Sequence, residues 1–369
     1  VGSEMCIRDS FPRDIDYTEW ETLRKYPLLN WNMGMVYNLR ESDERIYPQG
    51  ELGRRTIGLT GDRGNYGIEA VYREELAGRD GRATRQRIAR GFYGRVVDGD
   101  NIDPIDGLDV VTTLDLDVQD VANRYLREQL EAQNAIWGTT IVMEVRTGEI
   151  LALVNLGRTP GGGYAERENY AIGRNTEPGS TFKLASMLLL LDDADMPLDQ
   201  TYDTGNGRVV KVGGIPVQDS HAGFNDMDFR TAVAQSSNVY FAKAIWERYA
   251  DNKERYSDFM KKLHLDQTVG LEAFGEKKPL FQDWKDVPDP NSMLVRRSFG
   301  YRIKLSPIQV ITLYNAIAND GKMISPILVR ELRRDGDVVK HFKTQTLVDK
   351  VCSERTPVSY THLRAHETL

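Results

Sequence analysis

The 369-residue sequence predicts an α+β fold, an antiparallel sheet built from hairpins with helices packed on it. Three observations support this class. Two strand pairs are joined by tight turns, at Arg146-Thr-Gly148 and at Asp335-Gly336. Apolar residues recur at helical spacing over Val118, Val121, Ala122, Tyr125, Leu126 and Leu130. Ser306-Pro307 opens a further helix with an N-cap and a first-turn proline, and Asn319-Asp-Gly321 closes it.

Taken in order, residues 11–107 are rich in Arg, Gly and Tyr and show little long helical periodicity. Met35-Val-Tyr-Asn-Leu39 reads as a short strand, and eight glycines between Gly50 and Gly81 punctuate the rest. The many charges there read as a solvated face. Asp98 through Gly107 is turn-rich and marks a domain boundary. The helix over 118–130 then buries one face. Thr139–Val145 and Glu149–Leu156 form the first hairpin, and Gly157–Gly163 is a flexible loop. A helix starts near Ser180 and continues through the apolar run Leu184–Leu191.

The chemistry concentrates in Glu177-Pro-Gly-Ser-Thr-Phe-Lys-Leu-Ala-Ser186. Pro178-Gly179 forces a turn, and Ser180 and Lys183 follow on one helical face. A serine hydroxyl becomes a useful nucleophile once a base takes its proton. A lysine serves as that base when burial lowers its pKa, and the apolar helix supplies the burial. By itself the pair reads more simply as a Ser N-cap with a solvated lysine one turn on, and the Pro178-Gly179 turn before it and the buried helix after it reverse that preference. A second element adds weight. Ser236-Ser237-Asn238 lies between two helical pieces, so Ser236 and Asn238 can face one cleft. A hydroxyl there can relay a proton and an amide can hold a substrate amide. Asp219 and His221 read as loop-ordering residues, Asn169-Tyr170 as a loop anchor and Tyr301 as packing.

These two motifs, in this order, are shared by penicillin-binding proteins and serine β-lactamases. Over nearly all of residues 11–357 the chain resembles class B penicillin-binding proteins, the peptidoglycan D,D-transpeptidases, and most closely their cell-division type. Arg54-Arg-Thr-Ile-Gly58, Gly67-Ile-Glu-Ala-Val-Tyr72, Asp109-Val-Val-Thr-Thr-Leu-Asp115, Met143 through Ala152, Gly300-Tyr301 and Ser306-Pro-Ile-Gln309 extend the likeness. It implies the penicillin-recognising fold over 108–357 and an elongated non-catalytic pedestal over 11–107. It implies Ser180 as the acylated nucleophile, Lys183 as its base, Ser236 as proton relay and Asn238 as a substrate hydrogen-bonder. The implied partners are peptidoglycan stem peptides, β-lactams and division-machinery membrane proteins, including a glycosyltransferase. The implied place is the outer face of the cytoplasmic membrane, with an N-terminal anchoring helix. Rival readings are a D,D-carboxypeptidase or β-lactamase-like hydrolase, and a non-enzymatic β-lactam sensor or division scaffold.

The family's third motif, Lys-Thr-Gly, is missing. Lys343-Thr344-Gln345 is the nearest match, and its Gln would crowd a strand edge that must receive substrate. It reads as an exposed polar segment. Residues 1–10 and 358–369 resemble translated sequencing adapters, so the catalytic domain is expected to be incomplete and the 369-residue chain inactive by itself. Cys6 lies in the first of these segments, which leaves Cys352. His221, His264 and His341 form no cluster with metal-ligand spacing, and no cofactor is expected. The formal charge of −7 and the absence of a basic aromatic stripe argue against a nucleic-acid partner.

Overall fold

The computed structural model describes residues 45–353, apart from 62–63, 83–84, 90–91 and 96–101, together with Thr22 and Lys25. The chain divides between Pro48 and Gln49, and all the named strands and helices belong to the unit from Gln49 onward. The strand expected at Met35–Leu39 lies outside the described residues.

Short helices α1 (Arg54–Ile57), α2 (Gly67–Val71) and α3 (Arg73–Ala77) come first. They pack into the sheet core: Ile68 and Tyr72 share a buried cluster with Ile150, Leu153 and Leu332. Glu166 accepts the Arg55 backbone N–H at 2.8 Å, a second tie between these helices and the rest. Strands β1 (Arg85–Ala89) and β2 (Phe92–Arg95) form a hairpin. Within the turn-rich segment, Ile102 and Ile105 form isolated bridges with Arg82 and Arg79.

Strand β3 (Asp109–Thr112) leads into α4 (Leu116–Ala132). Asp115 caps this helix, its carboxylate accepting from the N–H groups of Asp117 and Val118 at 3.0 Å each. The buried stripe differs from the expected one. Gln119, Ala122, Leu126 and Leu130 face inward, while Val121 and Tyr125 are exposed. At 3.6 residues per turn, a side chain two positions on points to nearly the opposite side, so one helix cannot bury both sets. Gln119 replaces an apolar anchor by bonding the backbone of Leu153 through both ends of its amide, at 2.8 and 3.1 Å.

The first hairpin forms as expected, shifted by about two residues: β4 (Trp137–Met143) pairs antiparallel with β5 (Ile150–Arg158). Gly148 turns it at φ 81°, where a Cβ would lie 2.5 Å from the Ser325 carbonyl. The region read as a flexible loop is a tight second turn into β6 (Tyr164–Ala165), closed by Thr159 N–H to Gly163 O at 3.1 Å. A short helix, α5 (Tyr170–Gly173), then covers the sheet. Tyr170 stacks on Trp137 at 4.8 Å, so the anchor expected of Asn169-Tyr170 comes from the tyrosine alone and ties the segment to the sheet rather than to the Ser180 helix.

The helical layer follows: α6 (Lys183–Leu188), α7 (Phe229–Ala234), α8 (Asn238–Tyr249), α9 (Lys253–Lys262), α10 (Pro290–Arg297) and α11 (Pro307–Ala318). The inner faces of these helices form the main core around Phe182, Leu188, Phe229, Tyr240 and Phe241. Ser306 occupies the N-cap position of α11, and the Gln309 side chain accepts its N–H at 2.8 Å. The second hairpin joins strands Val329–Arg334 and Asp337–His341 through Asp335 and Gly336, both at positive φ as a two-residue hairpin requires. The first of these strands also pairs with β3, placing Val329 opposite Thr112. The two three-stranded sheets meet where Ile150 N–H donates to Ile327 O at 2.9 Å. Lys343, Thr344 and Gln345 are exposed and lie by the first hairpin turn, where the Thr344 hydroxyl donates to Thr147 O at 2.8 Å. Among the described residues, no helix is long and apolar enough to cross a membrane.

Candidate active site

The chain enters the site through the expected turn, with Gly179 at φ 55°. It does not enter an α-helix at Ser180. Gly179–Phe182 is a 3₁₀ turn, and the α-helix begins at Lys183. A 3₁₀ turn has three residues per turn, so positions three apart eclipse. Ser180 and Lys183 are therefore aligned more directly than an α-helix would align them. Ser180 is exposed and Lys183 is buried, with every residue from Phe182 to Leu190 buried around it. The Lys183 Nζ lies 3.3 Å from Ser180 Oγ.

The second motif supplies the other side of the amine. Ser236 sits between α7 and α8 at φ 51°, a left-handed conformation that side-chain-bearing residues avoid. Its N–H closes α7 by bonding Val233 O at 3.1 Å. This reversal aims both the carbonyl and the hydroxyl of Ser236 at Lys183. Nζ donates to Ser236 O and lies 3.0 Å from Ser236 Oγ. Ser237 then caps α8, its Oγ accepting the Tyr240 N–H at 3.0 Å. Asn238 is the first residue of that helix, and its amide donates to Gln218 O at 3.1 Å.

Asp219 has a larger structural part than its sequence neighbourhood suggests. Its carboxylate accepts the Ser237 hydroxyl at 2.7 Å and the Val239 N–H at 2.9 Å. It thereby holds the junction that points Ser236. The only sequence signal is an acid in a polar loop after an apolar strand, which any chain offers many times. His221 is exposed and joins none of these bonds.

Burial pushes the Lys183 amine down to about 8, against the opposing pull of the Asp219 carboxylate. A neutral fraction is thus present near physiological pH. Three polar atoms converge on one amine, and only one of them, Ser180 Oγ, is on an exposed residue. Such a set can take a proton from an exposed hydroxyl and return it through a second hydroxyl.

A strap, residues 298–305, backs the turn that carries Ser180. The Gly179 N–H donates to Gly300 O at 3.1 Å, and Ser186 Oγ donates to Ser298 O at 2.7 Å. Gly300 has φ 88°, and a Cβ on it would fall 1.9 Å from Gly179 O. Gly300→Ala is therefore expected to destabilise the protein by roughly 2–3 kcal/mol and to slow acylation of Ser180. Thermal melting together with a penicillin-labelling rate checks this. A variant with parental melting and labelling would show that the strap does not constrain the turn. Tyr301 is exposed and packs edge-on against Phe299 at 5.6 Å.

Comparison with known proteins agrees with this geometry. Residues 138–359 match the penicillin binding protein transpeptidase domain. The chain is 31% identical over 292 residues to the probable peptidoglycan D,D-transpeptidase PenA of Neisseria gonorrhoeae, covering 76% of this chain and 48% of that protein. It is 27% identical over 299 residues to the peptidoglycan D,D-transpeptidase FtsI of Escherichia coli, covering 77% and 48%. The crystal structure of a peptidoglycan synthetase from Bifidobacterium adolescentis superposes with a TM-score of 0.72 at 24% identity, covering 87% of this chain and 59% of that one. The chain spans about half the length of the curated relatives it matches. With a domain match across most of the described chain, and Ser180, Lys183 and Ser236 converging in its helical layer, the chain belongs to the penicillin-binding protein transpeptidase family.

Proposed function

We propose that the chain is the acylating part of a class B peptidoglycan D,D-transpeptidase that serves septal wall synthesis. The observation that carries this reading is the buried Lys183 amine lying between Ser180 Oγ at 3.3 Å and Ser236 Oγ at 3.0 Å. Lys183 takes the Ser180 proton while Oγ attacks the carbonyl between the two terminal D-alanines of a stem peptide. The C–N bond breaks, Ser236 passes a proton to the departing D-alanine, and an acyl-enzyme remains. The amine of a neighbouring stem attacks that ester, releasing Ser180 and leaving a cross-link. Asn238 hydrogen-bonds the substrate backbone, and the Ser180 N–H contributes to the oxyanion site. β-Lactams mimic the D-alanyl-D-alanine end and stall at the ester.

In this reading residues 11–107 form a pedestal without chemistry and residues 108–357 the catalytic domain. The protein works on the outer side of the cytoplasmic membrane beside division proteins, a glycosyltransferase among them. The test is to incubate the full-length protein with donor and acceptor stem peptides and resolve the products by mass. Cross-linked dimer is the expected result. Release of D-alanine without dimer would mean a carboxypeptidase, and no turnover with intact penicillin uptake would mean a sensor.

A further inference from the structure

The chain carries a formal charge of −7, yet Arg174, Lys277, Lys278 and Lys304 gather around one surface cavity of about 550 Å³. Glu168 is the acid on its wall, 3.9 Å from Arg174. Among the described residues, no carboxylate comes within ion-pair distance of Lys277, Lys278 or Lys304. Four cations gathered around a single carboxylate repel one another, so the arrangement is unfavourable for the isolated protein.

The cations also project from fixed positions. The Lys277 N–H donates to Ile172 O at 3.0 Å, and the Asn175 amide donates to Lys278 O at 2.7 Å. Leu280 and Lys304 exchange backbone hydrogen bonds of 3.0 and 3.2 Å. The Arg174 guanidinium lies 5.3 Å from the Trp137 ring centre and 5.8 Å from that of Tyr170. Leu280 is 54% exposed and offers an apolar contact among the charges.

The cavity continues toward the nucleophile. A neighbouring hollow of about 400 Å³ shares Leu280 and Lys304 with it and reaches Glu177 and Arg302. Glu177 stands three residues before Ser180, and its carboxylate accepts the Arg302 N–H at 3.0 Å. The furrow therefore follows the strap that braces Gly179.

We propose that this furrow binds a carboxylate-bearing strand of peptidoglycan, its cations receiving the free carboxylates of stem peptides beyond the one acylated at Ser180. The proposal rests on the D,D-transpeptidase reading above. A ligand running from Ser180 along the strap meets the furrow next, and stem peptides carry carboxylates along their length. Compact lysine ammonium groups suit such a mobile, repeated anion, since they act as point charges and need no fixed bidentate geometry.

The test uses the full-length protein carrying Lys277→Glu and Lys278→Glu together, with a second variant carrying Gln at the same positions. The probe is purified insoluble peptidoglycan stripped of phosphodiester polymers, beside an unstripped sample. Penicillin acylation of both variants should stay within about twofold of the parent, because no cation of the furrow touches Ser180 or Lys183. Retention on stripped peptidoglycan should fall about tenfold or more for the Glu variant at ~0.1 M salt, less for the Gln variant, and converge near 1 M salt, where screening acts within ~3 Å. Unchanged retention of the Glu variant would overturn the proposal. So would parental retention that disappears when phosphodiester polymers are removed. A parent that takes up no penicillin would instead overturn the transpeptidase reading, and the proposal with it.

Discussion

Ser180→Ala in the full-length protein should leave no covalently bound label after exposure to a fluorescent penicillin. Ser180 is the exposed hydroxyl of the cluster, 3.3 Å from the Lys183 amine, and it stands on a turn fixed by Gly179 and Gly300. Ser236 meets the same amine, but its backbone is committed to closing α7 and it is less exposed. The loss should therefore be complete rather than partial. Stability should change by no more than about 0.5 kcal/mol, since an exposed side chain is shortened and the Lys183 bonds to Ser236 remain. Peptide mapping of the labelled parent should find the adduct on Ser180. Label retained by the alanine variant would move the nucleophile to another residue.

Lys183→Arg should lower the acylation rate by about a thousandfold while the protein still folds. The substitution keeps a positive charge beside Ser180 and Ser236 but removes a group that can release its proton near neutral pH. General-base catalysis is worth roughly 10²–10⁴ in rate. In the parent, the acylation rate should rise with pH through about 8, where burial places the Lys183 amine, and level off above. Stability follows the same group. The folded amine titrates at about 8, below its ordinary 10.5, so between those values the unfolded chain binds more protons and stability rises with pH. Below about 8 both states are charged, and burying that charge costs the fold about 3 kcal/mol. Lys183→Met should flatten this slope in chemical denaturation between pH 8 and 10. A flat pH–rate profile in the parent, or near-normal acylation by the Arg variant, would reduce Lys183 to an electrostatic role.

Those two residues were legible from sequence because local chemistry marks them. A Pro-Gly turn, a serine, a lysine three positions on and an unbroken apolar run all lie within fifteen residues. The hairpins at Gly148 and at Asp335-Gly336 were legible for the same reason, since a positive φ selects glycine or aspartate whatever lies elsewhere in the chain. The stripe of α4 was legible only in part. Periodicity marks an apolar residue as able to be buried, but the sheet chooses the face, and here it preferred Gln119 to Val121 because a strand carbonyl and N–H needed partners.

By itself, then, the sequence determined the α+β class, most element positions and the pairing of Ser180 with Lys183. Tertiary structure decided what makes them a site. It placed Ser236 on the far side of the Lys183 amine, 53 positions away in the chain. It used Asp219 to hold that junction and brought Gly300 within a hydrogen bond of Gly179. None of these follows from local pattern. Each is a contact between distant segments, favoured only after the helical layer has collapsed around Lys183 and excluded the water that would otherwise keep its amine protonated.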